Sequence, residues 1–381
     1  MRTEQLLWTP ETGWQDRPGL ASPDLLLVFG ATPCLTPERL AELHAFYPGA
    51  HLLGCSTSGE IQGVRVHDDT LTATAIAFEQ TPIRLVHRDV TSPDQSWAAG
   101  EALARALEAP DLRHVFVLSD GLLVNGTALV EGLKAGLPAG VSLTGGLSGD
   151  GARFERTLVV ADADPAPGRI AALGLYGQAL RVGYGSLGGW DPFGPERMIT
   201  RAQGNVLYEL DGHSALGLYR KYLGEHAAGL PATGLLFPLS LSASPDKPSG
   251  LVRTILAVNE ADQSMTFAGD MPEGMYARLM KANFERLVEG AAGAAEATRQ
   301  GLADAPIGLA ILISCVGRKL VLKQRIEEET EAVRDILGPD VPLTGFYSYG
   351  EISPFAATQR CELHNQTMTI TTLGEVLPAQ P

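Results

Sequence analysis

The sequence predicts an α/β protein, built from repeated strand-helix-strand units that form mixed sheets covered by helices. Two observations carry that expectation. A strand, a helix and a glycine-serine turn closing on an acid recur in that order three times. No helix stands between a turn and the strand after it, so pairing there must be antiparallel and the sheets mixed.

The elements follow in chain order. Residues 1–23 hold Pro10, Gly13, Pro18, Gly19 and Pro23 and are expected to form an irregular lead-in. Leu25 to Gly30 is an unbroken apolar run with a glycine stop, the mark of a buried strand. Thr36 and Pro37 then open a helix, threonine as the cap and proline in the first turn, and Pro48-Gly49 closes it. An apolar start at His51 runs into the turn Gly54 to Glu60, and strands are expected at 71–78 and 83–90. The second pass has a strand at 114–120, a helix at 127–137, a turn from Gly145 to Asp150, and strands at 157–161 and 170–176. The third has a strand at 307–314, a helix from about Lys323 to Leu337, a turn from Gly345 to Glu351, and a strand at 366–372.

The first and third turns share Gly-x4-Gly-Glu, and the second is one residue shorter. The long gap before the third turn suggests a degraded fourth copy ending near Gly269-Asp270. Units this short need one another to bury their faces, so copies packed in pairs are expected. The expected divisions are the lead-in at 1–23, one domain at 24–212, a second at 213–373 and a tail at 374–381. The main boundary falls between a strand at 206–210 and a helix at 213–223.

Composition narrows the function classes. The 381 residues suffice for two ordinary domains, and 45% apolar with 19% charged residues is a globular balance. A formal charge of −15 argues against nucleic acid, which needs clustered lysine and arginine. The apolar runs, such as Ile307 to Val316, fall short of a membrane span, and no secretory signal opens the chain. Four scattered cysteines without a CxxC pair fit a reducing compartment, so a cytoplasmic protein without membrane contact is expected.

The turns hold the most informative chemistry. Each offers backbone N–H groups, hydroxyls and a carboxylate at a strand end, where open α/β sheets hold ligands. Such a set suits a small polar or zwitterionic molecule. The residues expected to touch it are Ser56, Ser58, Glu60, Ser148, Asp150, Tyr347, Ser348 and Glu351. One such turn could be purely structural, its glycines permitting the bend and its serines capping it. Three with the same chemistry favour a pocket assembled between units.

Other motifs carry less. Gly183 to Gly188 spells GxGxxG, but Pro192 and Pro195 follow where a dinucleotide fingerprint needs a helix. Cys55 stands where a nucleophile could, making a small-molecule hydrolase an alternative, yet no base is in place and it reads as a small buried residue. No catalytic residue is therefore assigned. The eight histidines show no metal spacing. His364 is a lone imidazole that could ligate haem iron in an apolar pocket. Asn365 beside it reads as fixing the strand edge to a neighbouring turn.

These residues carry a resemblance. The turn Gly54 to Ile61, the second turn and Leu207 to Gly212 are similar to the N-terminal FIST domain. Gly345 to Pro354 and His364 to Thr367 resemble the C-terminal FIST domain, the name standing for F-box and intracellular signal transduction proteins. The resemblance covers 24–373 and implies a sensory module for small ligands such as amino acids. A subset of the family binds haem and senses nitric oxide through a histidine kinase, so haem at His364 is the alternative cofactor. Nothing in the sequence reads as an output domain. The resemblance therefore implies a partner in trans, a histidine kinase or a cyclic-di-nucleotide signalling protein.

Overall fold

Three segments of the chain trace the same course, and each hands one strand to a neighbour's sheet. The computed structural model describes residues 1–15, 19–230, 232–245, 251–302, 305–355 and 360–376. The lead-in residues 16–18, with Pro18, and the end of the tail from 377 lie outside the described residues.

The first unit comprises β1 (Arg2–Thr9), β2 (Leu25–Gly30), α1 (Pro37–Phe46), β3 (His51–Ser56), β4 (Glu60–Gln62) and β5 (Leu71–Ala77). The second comprises β6 (Ile83–Asp89), α2 (Ser96–Leu107), β7 (Leu112–Ser119), α3 (Gly126–Gly136), β8 (Ser142–Leu147), β9 (Val159–Ala161) and β10 (Arg169–Tyr176). The third begins with β11 (Leu180–Leu187). After an insert it resumes with α4 (Phe284–Leu302), β12 (Leu309–Cys315), α5 (Val316–Leu322), α6 (Glu327–Leu337), β13 (Leu343–Ser348), β14 (Gly350–Pro354) and β15 (Met368–Glu375).

Each sheet has the same heart. The two strands flanking a helix run parallel, as β2 with β3, β7 with β8 and β12 with β13, and the unit's last strand joins antiparallel. The sheets are mixed, as expected. The short strand after each turn leaves home. β4 pairs with β13, β14 with β8, and β9 with β3, all antiparallel, so the exchange closes a ring of three. Copies packed in pairs are thereby corrected: three units, not two, complete one another. The apolar faces of all three sheets meet in one core holding Phe29, Phe116, Ile313 and Phe346, with the rings of Phe29 and Phe346 4.8 Å apart.

Two further expectations are corrected. The lead-in is not irregular throughout, because Arg2–Thr9 pairs with Leu71–Ala77 along seven residues and buries Leu6 and Trp8. The short apolar run Leu6-Leu7-Trp8 is the available signal. The gap before the third unit's helices holds no degraded fourth copy. Between Trp190 and Ala282 the sheet of the insert is wholly antiparallel among the described residues, its strands joined in the order 251–253, 239–242, 276–282, 190–203, 206–210, 264–267 and 255–259. The helix Ala215–Leu223 packs Leu216 and Tyr219 against Met265 and Phe267 of this insert. The Gly183–Gly188 stretch lies in β11 up to Leu187, and after Gly188-Gly189 the strand Trp190–Gln203 follows, not a helix. The third unit's helix also breaks where Lys323 adopts φ 51°, giving α5 and α6.

Strands from 24–212 and from 213–373 share two of the three core sheets: β14 lies beside β8, and β4 beside β13. β11, ahead of the insert, pairs with β15, after it. Core residues of His364–Thr367 hold the insert down. The Gln366 side-chain amide donates to the Leu235 carbonyl (3.1 Å) and to Thr254 Oγ1 (3.0 Å), and the Gln366 backbone carbonyl accepts from the Trp190 indole (2.8 Å). Buried Arg253 reaches back to the Leu363 carbonyl at 3.0 Å.

Glycine is obligatory in each parallel pair just before the turn. A Cβ on Gly54, Gly145 or Gly345 would sit inside van der Waals contact of the carbonyl oxygen of Val28, Val117 or Leu312. Backbone against backbone has no flexible end that can yield. Gly345→Ala is expected to lose about 3 kcal/mol or more, read by urea unfolding. A loss below about 1 kcal/mol would show that the strands separate easily.

Candidate functional site

The three turns converge where the exchanged strands cross. Ser58 N donates to the Tyr347 carbonyl (2.8 Å), Gly149 N to that of Ser56 (2.9 Å), and Tyr349 N to that of Leu147 (3.2 Å). Each turn is thus stitched to the next by equivalent backbone bonds. Ser56, Ser58, Glu60, Ser148, Asp150, Tyr347, Ser348 and Glu351 all lie here, and none is more than 3% exposed.

Their polar groups are engaged with the protein. Ser56 Oγ donates to the Gly149 carbonyl and accepts from Leu158 N, both at 2.8 Å. Ser58 Oγ donates to the Gly151 carbonyl at 3.1 Å, and Ser148 Oγ to that of Ser119 at 2.9 Å. The Tyr347 hydroxyl donates to Glu329 at 2.7 Å. Glu60 takes the Thr57 hydroxyl and, at 2.6 Å, that of Thr70. Glu351 takes Ser348 Oγ at 2.5 Å and both the hydroxyl and the amide of Thr367, at 3.0 and 3.2 Å. Burial pushes Glu60 up to about 7 and Glu351 up to about 8, against the lowering effect of those hydrogen bonds.

Asp150 behaves in the opposite way. Burial would raise its carboxyl, but the Tyr349 hydroxyl and the amides of Arg156, Glu155 and Phe154, each at 2.8 Å, hold it below the usual range. The bonds fix the loop leaving the second turn. Phe154 is held there at φ 56°, a left-handed conformation that costs a non-glycine residue roughly 1–2 kcal/mol. Its ring stacks on Tyr349, centroids 4.4 Å apart.

That loop walls a cleft of about 580 Å³ between the core and the insert. Arg153 and Phe154 come from the loop, Leu230, Leu235 and Ile255 from the insert, and Leu320 from α5. Phe154 and Leu256 also line a cavity of about 130 Å³ behind it, where Tyr349 stands. Volume and apolar lining are those of a small-molecule site. Sequence reasoning missed the cleft residues. Leu230, Leu235 and Leu236 belong to a stretch whose sequence has neither helical nor strand periodicity and which folds as the short 3-10 helices Gly224–Gly229 and Ala232–Leu236. Arg153 was legible only as the outflow of the second turn.

Two alternatives meet the structure poorly. His364 is 1% exposed and does not line the cleft. Its Nε2 is engaged with the Ser353 carbonyl at 2.9 Å, and Phe355 packs on its ring at 4.3 Å. Burial pulls it down to about 4. Among the described residues its Nδ1 has no partner, but the ring is sealed in the core with Phe355 against it, so these residues do not fit a haem. Cys55 is wholly buried, and burial, followed by the charge of Glu60, pushes its thiol well up. The nearest histidine in sequence, His51, is engaged with Asp162 at 2.7 Å. A thiol so placed is not a nucleophile. Among the described residues no cluster of His, Cys, Asp and Glu could hold a metal ion. Asn365 donates to the Tyr349 carbonyl at 3.4 Å, tying its strand end to the third turn.

Mixed sheets joined by strand exchange around buried turns, with a ligand-sized cleft beside them, define an α/β protein of three interlocked units. The FIST N domain matches residues 24–213 and the FIST C domain residues 215–354, and the chain belongs to the FIST family. FIST domains are associated with small-ligand sensing in signal transduction. The chain is similar to two uncharacterized proteins of Mycobacterium tuberculosis, from strains CDC 1551 / Oshkosh and ATCC 25618 / H37Rv. Each is 25% identical over 326 residues, covering 84% of this chain and 83% of the relative. Among solved structures, cyanuric acid hydrolase from A. caulinodans covers 78% of this chain and 100% of its own at 11% identity. Its TM-score of 0.20 carries no argument about fold or chemistry. Among the described residues no helix is long and apolar enough to cross a membrane.

Proposed function

We propose that the protein is a sensor whose small ligand occupies the cleft between the three-unit core and the insert, and that a separate protein reads the occupied state. The observation that carries this reading is the cleft itself: ligand-sized, apolar and walled by a loop that the second turn holds rigid. In this reading the eight turn residues position the wall and do not touch the ligand, because their hydrogen bonds are already spent within the protein.

A ligand between two bodies acts on how they sit together. Gln366 and Arg253 supply side-chain bonds between insert and core, so filling the cleft can favour one placement of the insert. A partner that binds the two placements unequally then receives the signal, and its own binding changes ligand affinity reciprocally. A histidine kinase or a cyclic-di-nucleotide signalling protein is the partner class proposed.

Hydrogen exchange with leucine, decanoate and haem in turn tests the location. A bound probe is expected to slow exchange at 152–156, 233–237 and 253–256. Protection elsewhere, or none there from any of the three, would overturn the reading.

A further inference from the structure

We infer that the ligand of this cleft is an amphipathic anion: an apolar body with a single carboxylate or similar group that pairs with Arg153. The inference rests on the cleft being the ligand site. Among the described residues the walls are apolar apart from Arg153 and Thr233, and no aspartate or glutamate lines them. An amino acid bound here would leave its ammonium group without a counter-charge, which a low-dielectric site penalises. A neutral molecule would leave the arginine idle.

Arg153 is placed for the task. It is exposed at the rim, and among the described residues no ion pair or hydrogen bond engages its guanidinium, in a chain whose formal charge is −15. Most other arginines described here are tied down: Arg39, Arg169, Arg197, Arg220, Arg318 and Arg325 all hold carboxylates or carbonyls. Its backbone is fixed as well, since the next three amides all bind the Asp150 carboxylate. A guanidinium on a fixed stem offers a forked pair of donors, the geometry a carboxylate accepts bidentately. The apolar body would run inward past Phe154 towards Leu235, Ile255 and Leu320, where area removed from water supplies the affinity.

Calorimetric titration with decanoate, decanol and leucine against wild type, Arg153→Gln and Leu320→Trp tests this. Decanoate is expected to bind wild type more tightly than decanol, and leucine not to bind. Arg153→Gln is expected to weaken decanoate about tenfold and leave decanol unchanged. Leu320→Trp should abolish both. Equal affinities for decanoate and decanol, an Arg153→Gln variant that binds decanoate normally, or tighter binding of leucine would each overturn the anion assignment while leaving the cleft standing. Decanoate and decanol binding that survives Leu320→Trp would instead overturn the cleft. No binding of decanoate at all would overturn the anion assignment.

Discussion

Glu329→Ala is expected to lower the unfolding free energy by about 3–5 kcal/mol, the cost of leaving a buried charge without its partner. Arg318 and Glu329 are both 0% exposed. The guanidinium donates to Glu329 Oε2 at 3.0 and 2.8 Å, to the Leu287 carbonyl at 2.7 Å and to that of Gly188. Oε1 of Glu329 takes Ser314 Oγ at 3.0 Å and the Tyr347 hydroxyl at 2.7 Å. One ion pair thus joins α5, α6, the third turn and the residues bordering the insert. Removing either partner strands the other, so Arg318→Ala should cost as much. The double variant Arg318→Met, Glu329→Leu removes both charges and should recover most of the loss, since an apolar pair of similar volume avoids the desolvation penalty. Urea unfolding of all three decides it. A double variant as unstable as either single one would mean that the polar network, not the charge balance, holds the junction.

The second large effect is electrostatic and runs with pH. Glu60 and Glu351 are lifted from 4.5 to about 7 and about 8. Between the ordinary value and the raised ones, the folded chain keeps protons that the unfolded chain has released. Their contribution is therefore fully present below about 4.5, declines as pH rises, and is lost above about 8. Full ionisation of each costs roughly 3–5 kcal/mol, at about 1.4 kcal/mol per unit. His114 and His364 act with the opposite sign at lower pH: burial pulls them from 6.5 to about 3 and about 4, so they favour folding more as pH rises through that range. The test is accordingly the difference between Glu351→Gln and wild type. The variant is uncharged at every pH and keeps an oxygen for Thr367, so it should melt above wild type at pH 9, with the gap closing towards pH 5. A variant that melts lower at pH 9 would mean that the ionised carboxylate is what the turn requires.

The parts of the fold legible in sequence were those fixed by local signals. Leu25–Gly30, the capped helix after Thr36 and the three glycine-rich turns each announced themselves within a few residues. Ring closure did not, because β4 and β9 are three residues long and their pairing partners lie far away in the chain. Three-residue strands carry too few positions for any periodicity. The insert was hidden for another reason: a spacing argument could place something between the second and third turns but could not say what. The three turns do meet, Ser58 with Tyr347 and Ser56 with Gly149. What the sequence could not show is that close convergence leaves Glu60 and Glu351 bonded to hydroxyls of their own chain. The cleft draws on Arg153 and Leu320, 167 positions apart, and on the short 3-10 helix Ala232–Leu236, which no sequence pattern marks.

The central claim is that the ligand lies in the cleft and the turns only support it. The most direct measurement is the fluorescence of 1-anilinonaphthalene-8-sulfonate, an apolar anion, titrated at pH 7 into wild type, Leu320→Trp and Glu351→Gln. The account predicts saturable enhancement with wild type and with Glu351→Gln, and none with Leu320→Trp, whose indole fills the cleft. Enhancement that survives in Leu320→Trp and disappears in Glu351→Gln would place the ligand at the turns and contradict it.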